Sequence, residues 1–142
     1  MGNMSYDVDQ LAQRFNLFPN YAVETSFTLP FLMGQAREKV RQFFIKYQDR
    51  ILYGSDISGG LVASPFLVDM TKINEKWTEN EIAELKTELL AQYERDLNYF
   101  ATDQEFSQGD YKVHGLALPE EILHKLYYNN SVSWVPGVEK EF

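Results

Sequence analysis

Arg50-Ile51-Leu52-Tyr53-Gly54-Ser55-Asp56-Ile57 is the stretch whose reading decides the fold of this chain. Three apolar residues form a short run, Gly54 and Ser55 come next, and a carboxylate stands where the run has just ended. That is the pattern of a buried parallel strand delivering one polar side chain to its C-terminal mouth. In α/β folds chemistry collects at the carboxyl ends of strands, because the sheet fixes position while the adjoining loops vary. Asp56 is therefore the first candidate for a working residue. The plainer reading makes it the cap of a turn through Ser58, Gly59 and Gly60, its oxygens taking backbone N–H groups.

Upstream of that stretch, Asp7 and Gln10 form a capping pair, and Val8, Leu11, Ala12 and Phe15 fall at i, i+3, i+4 and i+7, which predicts a short amphipathic helix. Tyr21 to Thr25 is a strand candidate with an acid, Glu24, near its far end. Phe27 to Gly34 contains Pro30 and Gly34 and reads as a loop, yet it is apolar enough that it must pack on something. From Gln35 the helical period returns, with Val40, Phe43, Phe44 and Tyr47 on one stripe. Helix, strand, helix, strand with short connections is the grammar of parallel βα units. Two such strands do not make a sheet that stands alone.

Downstream, Ser58 to Trp77 shows no convincing period. Thr78 with Glu81 is a capping box, and Ile82, Leu85, Leu89, Tyr93 and Leu97 carry an amphipathic helix to about Tyr99. Ala101 to Leu118 reads as a second irregular stretch. Pro119 opens the last helix at its first position, with Ile122, Leu123, Leu126 and Tyr127 as its apolar face, and Asn129, Asn130 and Pro136-Gly137 end it. No repeat or domain boundary is visible, so residues 1–142 read as one domain. Two long loops in so short a chain suit the rim of an active site.

Composition narrows the function classes. The chain has 142 residues and a formal charge of −8, which argues against a phosphate-tracking surface and so against nucleic acid. No run reaches the length of a membrane-spanning helix, and Met1-Gly2-Asn3-Met4-Ser5 lacks the basic and apolar regions of a signal peptide. A soluble protein of the cytoplasm or periplasm is expected, with no membrane partner. There is no cysteine, hence no disulfide, thiol nucleophile or cysteine-based zinc site.

Three stretches together resemble the metal-dependent amidohydrolases of the family-2 type, (β/α)8 enzymes that also include amino-carboxymuconate-semialdehyde and related decarboxylases. Tyr6 to Phe15, leading through Phe18-Pro19-Asn20 to Thr25, is similar to a helix and the seventh strand of that barrel. Val40 to Asp56 is similar to the seventh helix and eighth strand and is the most specific of the three. Gly115 to Asn130, with Trp134-Val135-Pro136-Gly137, resembles the C-terminal helix. The match covers nearly the whole chain except Ile57 to Trp77. It implies an α/β fold that is the C-terminal part of a (β/α)8 TIM barrel, the last two βα units plus C-terminal helices, with the barrel incomplete. The rest would come from a missing N-terminal part or from another chain covering the exposed strands, and homo-oligomers are left open.

The resemblance implies that Asp56 binds or faces a divalent metal, zinc first and manganese second, and handles the proton of the attacking water. A carboxylate beside such an ion stays ionised and ligates through oxygen. Glu24, Thr25, Ser26, Ser55 and Ser58 are the candidates for lining the substrate pocket, with an ion pair to an arginine as the alternative role for Glu24. Tyr53 and Phe27 are expected in the core. The departures are equally informative. The family's site needs several histidines, and this chain has only His114 and His124, both expected to be ordinary surface residues. In relatives a site histidine directly precedes the loop that Gly2-Asn3-Met4 resembles, so the chain reads as cut just past a ligand and inactive alone.

The expected function is thus part of a metal-dependent hydrolase acting on a C–N or C–O bond of a small molecule. A related carbon–carbon lyase, a decarboxylase, is the nearest variant. The competing reading is a shortened, non-catalytic barrel relic that uses Phe27 to Met33 and Ser64 to Met70 to dock on another chain, or that has no independent function.

Overall fold

Asp7 starts helix α1 (Val8–Leu17) as its sequence predicts, its carboxylate accepting from Asp9 N at 3.0 Å and from the Gln10 amide at 3.4 Å. The structure, a computed structural model, describes residues 4–55, 62–64, 67–68 and 78–138. Val8, Leu11 and Phe15 face inward from α1, and α3 (Arg37–Lys46) meets them with Val40, Phe43 and Phe44. Phe15 stacks on Phe43 at 5.6 Å and tilts against Tyr47 at 4.8 Å. Aromatic pairs at such distances add about 0.5–1.5 kcal/mol each beyond the area they bury.

Strands β1 (Val23–Glu24) and β2 (Ile51–Leu52) pair in parallel, Val23 opposite Ile51 and Glu24 opposite Leu52, with α3 in the connection between them. Both are shorter than the apolar runs that announce them. Arg50 fastens the entry to β2. Its Nη1 donates to Phe15 O at 3.0 Å, one of the carbonyls that the end of α1 leaves unpaired, and its guanidinium lies 4.6 Å from the Phe15 ring centre.

The segment after β1 departs from expectation. Phe27 to Gly34 is not a loop throughout, since α2 (Leu29–Met33) occupies it with Pro30 in the first turn, where a missing N–H costs nothing. Leu29 and Leu32 are buried, which is the packing its apolar content demanded. Phe27, expected in the core, is instead 41% exposed and carries a φ of +58°, a strained conformation for a bulky residue.

Between β2 and the long helix, the backbones Val62–Ser64 (β3) and Leu67–Val68 (β4) form a short antiparallel ribbon within the stretch read as aperiodic. Helix α4 (Glu79–Ala101) begins at the Thr78–Glu81 capping box, as predicted. Its buried residues are Asp96, Tyr99 and Phe100, whereas Ile82, Tyr93 and Leu97 of the expected inward stripe are exposed. The hydrophobic period located the helix and its inward side, since Phe100 falls at the same angle as Ile82, but among the described residues that side is buried only in the last turns.

The stretch from Ala101 to Leu118 is likewise not irregular. It holds a hairpin, β5 (Glu105–Gln108) and β6 (Tyr111–His114), joined by a two-residue turn at Gly109 and Asp110. Gly115 to Leu118 then folds back on the end of α4, where Leu116 N, Leu118 N and Ala117 N donate to the carbonyls of Tyr99, Phe100 and Thr102. Carbonyls near and just past the end of the helix are satisfied this way.

The last helix runs as α5 (Glu120–His124), a π-helical turn over Lys125–Asn129 and α6 (Asn130–Trp134). Pro119 stands one position earlier than expected, as the N-cap, and Asn129 and Asn130 do not end the helix. Asn130 is buried, and its amide donates to Gln48 O and Ile51 O, each at 2.7 Å. Tyr53 N donates to Leu126 O at 2.8 Å. The edge of β2 that faces away from β1 is therefore capped by the C-terminal helical segment.

Candidate functional site

The parallel register brings the ends of β1 and β2 together, so Glu24, Thr25, Ser26, Gly54 and Ser55 meet in one polar cluster. Thr25 is fully buried, and its hydroxyl both accepts from Gly54 N at 3.0 Å and donates to Gly54 O at 3.2 Å. This side chain continues the ladder one step past the two strands. The exposed Glu24 carboxylate turns back to accept from Ser26 N at 2.6 Å. A short bond of that kind, with a charged acceptor, is among the stronger ones a strand end can make.

Gly54 is what lets these groups converge. A Cβ there would collide with the Glu24 carboxylate and the Ser26 hydroxyl. Ser55 is held from the other side, its carbonyl accepting from the Gln92 amide of α4 at 3.0 Å. Four of the expected pocket residues, Glu24, Thr25, Ser26 and Ser55, are thus brought to one place. Asp56 and Ser58 lie outside the described residues.

Behind the strand end sits a group that sequence reasoning missed. Asp96 is only 3% exposed and accepts from the Tyr53 hydroxyl at 3.0 Å and from Arg95 at 3.4 Å. Burial pushes the Asp96 carboxyl above the usual aspartate range, while the Tyr53 hydrogen bond and the Arg95 charge pull it down. Burial and the facing carboxylate push the Tyr53 hydroxyl up. The Tyr127 ring lies 4.7 Å from that of Tyr53, and its hydroxyl, like Arg95 Nε, is buried with no hydrogen-bond partner among the described residues. The sequence signal for this cluster was an aspartate set within the apolar side of a helix, three residues after Tyr93 and four before Phe100.

The two histidines are exposed and far from these strand ends in sequence and in partners. His114 lies 3.3 Å from Glu105 across the hairpin, and His124 Nδ1 lies 3.1 Å from the Asn129 side chain. Among the described residues no three histidine, aspartate or glutamate side chains gather closely enough to hold a metal ion. The strand ends present one carboxylate, Glu24, already engaged by Ser26 N, so the described groups do not by themselves fit a divalent cation. No helix among the described residues is long and apolar enough to cross a membrane. Comparison with known proteins found no matching family model, no matching curated protein and no matching solved structure.

Proposed function

We propose that this chain is the C-terminal part of a metal-dependent amidohydrolase-type barrel enzyme acting on a C–N or C–O bond of a small molecule. The observation that carries the reading is the parallel β1–β2 pair, with a helix in its connection and both carboxyl ends converging on Glu24, Thr25, Gly54 and Ser55 one residue before Asp56. Strand ends of this kind are where α/β enzymes keep their chemistry. Asp56 is the metal-side carboxylate of the reading, and Glu24, Ser26 and Ser55 border the substrate. The histidines belong to barrel units other than these two. A further strand beside β2 has to displace Leu126 O from Tyr53 N, because that edge is already taken.

The test is the coding sequence upstream of Met1, and then a zinc measurement. Under this reading the frame continues upstream through a histidine and further βα units. The longer product then binds zinc stoichiometrically and hydrolyses an amide, ester or lactone, and Asp56→Asn abolishes both. A frame that closes at Met1, with a 142-residue product that takes up no zinc and is indifferent to Asp56→Asn, overturns it.

A second reading, a non-catalytic interaction module, is favoured by Phe27 and Phe31, both exposed beside the strand ends. A homogeneous, metal-free and inactive protein that loses a partner when both rings are replaced supports it.

A further inference from the structure

The outer edge of β2 is closed by a helical segment and not by a strand. Arg50 O and Leu52 O turn toward β1 and accept from Val23 N and Thr25 N at 3.0 Å, so Ile51 O and Tyr53 N turn the other way. A neighbouring strand would meet them with an N–H and a C=O. The Asn130 side-chain amide supplies the first, donating to Ile51 O at 2.7 Å, and Leu126 O supplies the second, accepting from Tyr53 N at 2.8 Å. The same amide donates to Gln48 O at 2.7 Å, so both of its N–H groups are used.

The π-helical turn is what makes Leu126 O available. In an α-helix that carbonyl accepts from the N–H four residues on, which here is Asn130 N. Asn130 N donates instead one residue further back, to Lys125 O, and Leu126 O is left for Tyr53 N. A π-turn gives up regular helix bonding and recurs at functional sites. It also has an alternative: a return to the α ladder gives Leu126 O a partner in Asn130 N, so leaving the sheet does not orphan that carbonyl.

The part of the segment that closes the edge is lightly anchored. Ile122 and Leu126 are buried, but from Tyr127 to Val138 the one buried residue is Asn130. The ties to the turn before β2 are polar, with Trp134 Nε1 donating to Asp49 O at 2.8 Å and Lys125 Nζ lying 2.6 Å from the Asp49 carboxylate. Segments with few buried apolar contacts open locally, at a lower free energy than the whole fold.

We infer that the C-terminal segment is an autoinhibitory strap. With Asn130 as its latch it withholds the β2 edge from strand addition, and it opens as a unit while the β1–β2 pair stays formed. Once open, it leaves an acceptor at Ile51 and a donor at Tyr53, the main-chain pattern with which an extended chain pairs. The inference goes beyond the enzyme reading and does not depend on it, since neither metal nor substrate enters it.

Amide hydrogen exchange of the full chain, followed residue by residue by NMR, tests the opening. Tyr53 N should exchange together with the amides from Leu126 to Trp134 and ahead of Val23 N and Thr25 N, which report the unfolding of the whole. Leu11→Ala, in the fully buried core of α1, should speed exchange at Val23 N and Thr25 N and leave Tyr53 N unchanged. Asn130→Leu keeps the branched shape and removes both donors, and should speed exchange at Tyr53 N by about tenfold or more. In a pure sample an incoming strand comes from a second copy. Asn130→Leu should therefore associate as its concentration rises, with Tyr53 N protected again in the associated form, whereas the wild type and Leu11→Ala should not. A Tyr53 N that follows Val23 N and Thr25 N in the wild type, or responds to Leu11→Ala as they do, overturns the inference, and these two measurements decide it even where Asn130→Leu does not fold. So does an Asn130→Leu protein that stays monomeric at every concentration, or a Leu11→Ala protein that associates equally.

Discussion

At Gly54 the space for a side chain is already filled by two others. Gly54→Ala has to expel the Glu24 carboxylate and the Ser26 hydroxyl, and it loosens the bonds to Thr25 as well. The carboxylate and the hydroxyl are both ends of side chains that can turn aside, so the loss is that of the Glu24–Ser26 N bond, about 1 kcal/mol, read as a shift of the urea midpoint with unchanged slope. Asp96 gives a prediction with a sign. Because burial makes the folded state hold its proton more tightly than the unfolded chain does, its contribution is full below the ordinary aspartate value of about 3.9 and is lost as the pH rises through the folded value. Asp96→Asn keeps an acceptor for Tyr53 and removes the titration. The wild type should therefore lose melting temperature relative to the variant as the pH rises above about 4; a constant difference along that rise counts against a raised carboxyl. At this scale the sequence named Glu24, Thr25, Ser26 and Ser55 as neighbours, since residues just past two paired strands emerge at the same edge. It carried no warning of Asp96 and Tyr53, residues 43 apart in sequence whose pairing depends on where α4 lies.

Among the elements, α4 is held by the described residues through its second half, from Gln92 onward. Its final turns carry the buried Tyr99 and Phe100, and the segment from Gly115 to Leu118 closes on its terminal carbonyls. Gly115 sits against Thr102 O and has Asn98 O 2.8 Å from where a Cβ would stand, both of them backbone atoms that cannot swing aside. Gly115→Ala should therefore cost about 2 kcal/mol or more and uncouple the hairpin from the helix, visible as a lower and broader thermal transition. Hydrogen exchange should divide α4 in two, with amides around Tyr99 protected near the global limit and those before Leu90 exchanging through local opening. The elements most legible in the sequence were those with both a period and a cap, α1 from Asp7 and α4 from Thr78. Helix α2 was hidden because a proline that breaks a helix interior is welcome in its first turn. The β5–β6 hairpin was hidden because its strands are mostly exposed and polar, which leaves little alternation to read.

For the whole molecule, the ring of Phe100 is the bridge. It packs on Phe44 at 5.3 Å, joining the core under β1 and β2 to the α4 end, and it meets Tyr127 of the C-terminal segment at 6.3 Å. Phe100→Ala should cost about 3–5 kcal/mol and, if the two halves unfold as one, should move the fluorescence and circular dichroism transitions together. Separated transitions would mean two independent units. The sequence by itself determined where the helices other than α2 run, how two of them start and that a strand follows each of the first two it marked, because propensity, capping and period act over a few neighbouring residues. The tertiary structure alone decided how much of the apolar side of α4 is covered, that Asn130 and Leu126 take the far edge of β2, and that Asp96 lies behind Tyr53. A hydrophobic period shows which residues share a side, but the partner of that side is set by contacts between distant parts of the chain.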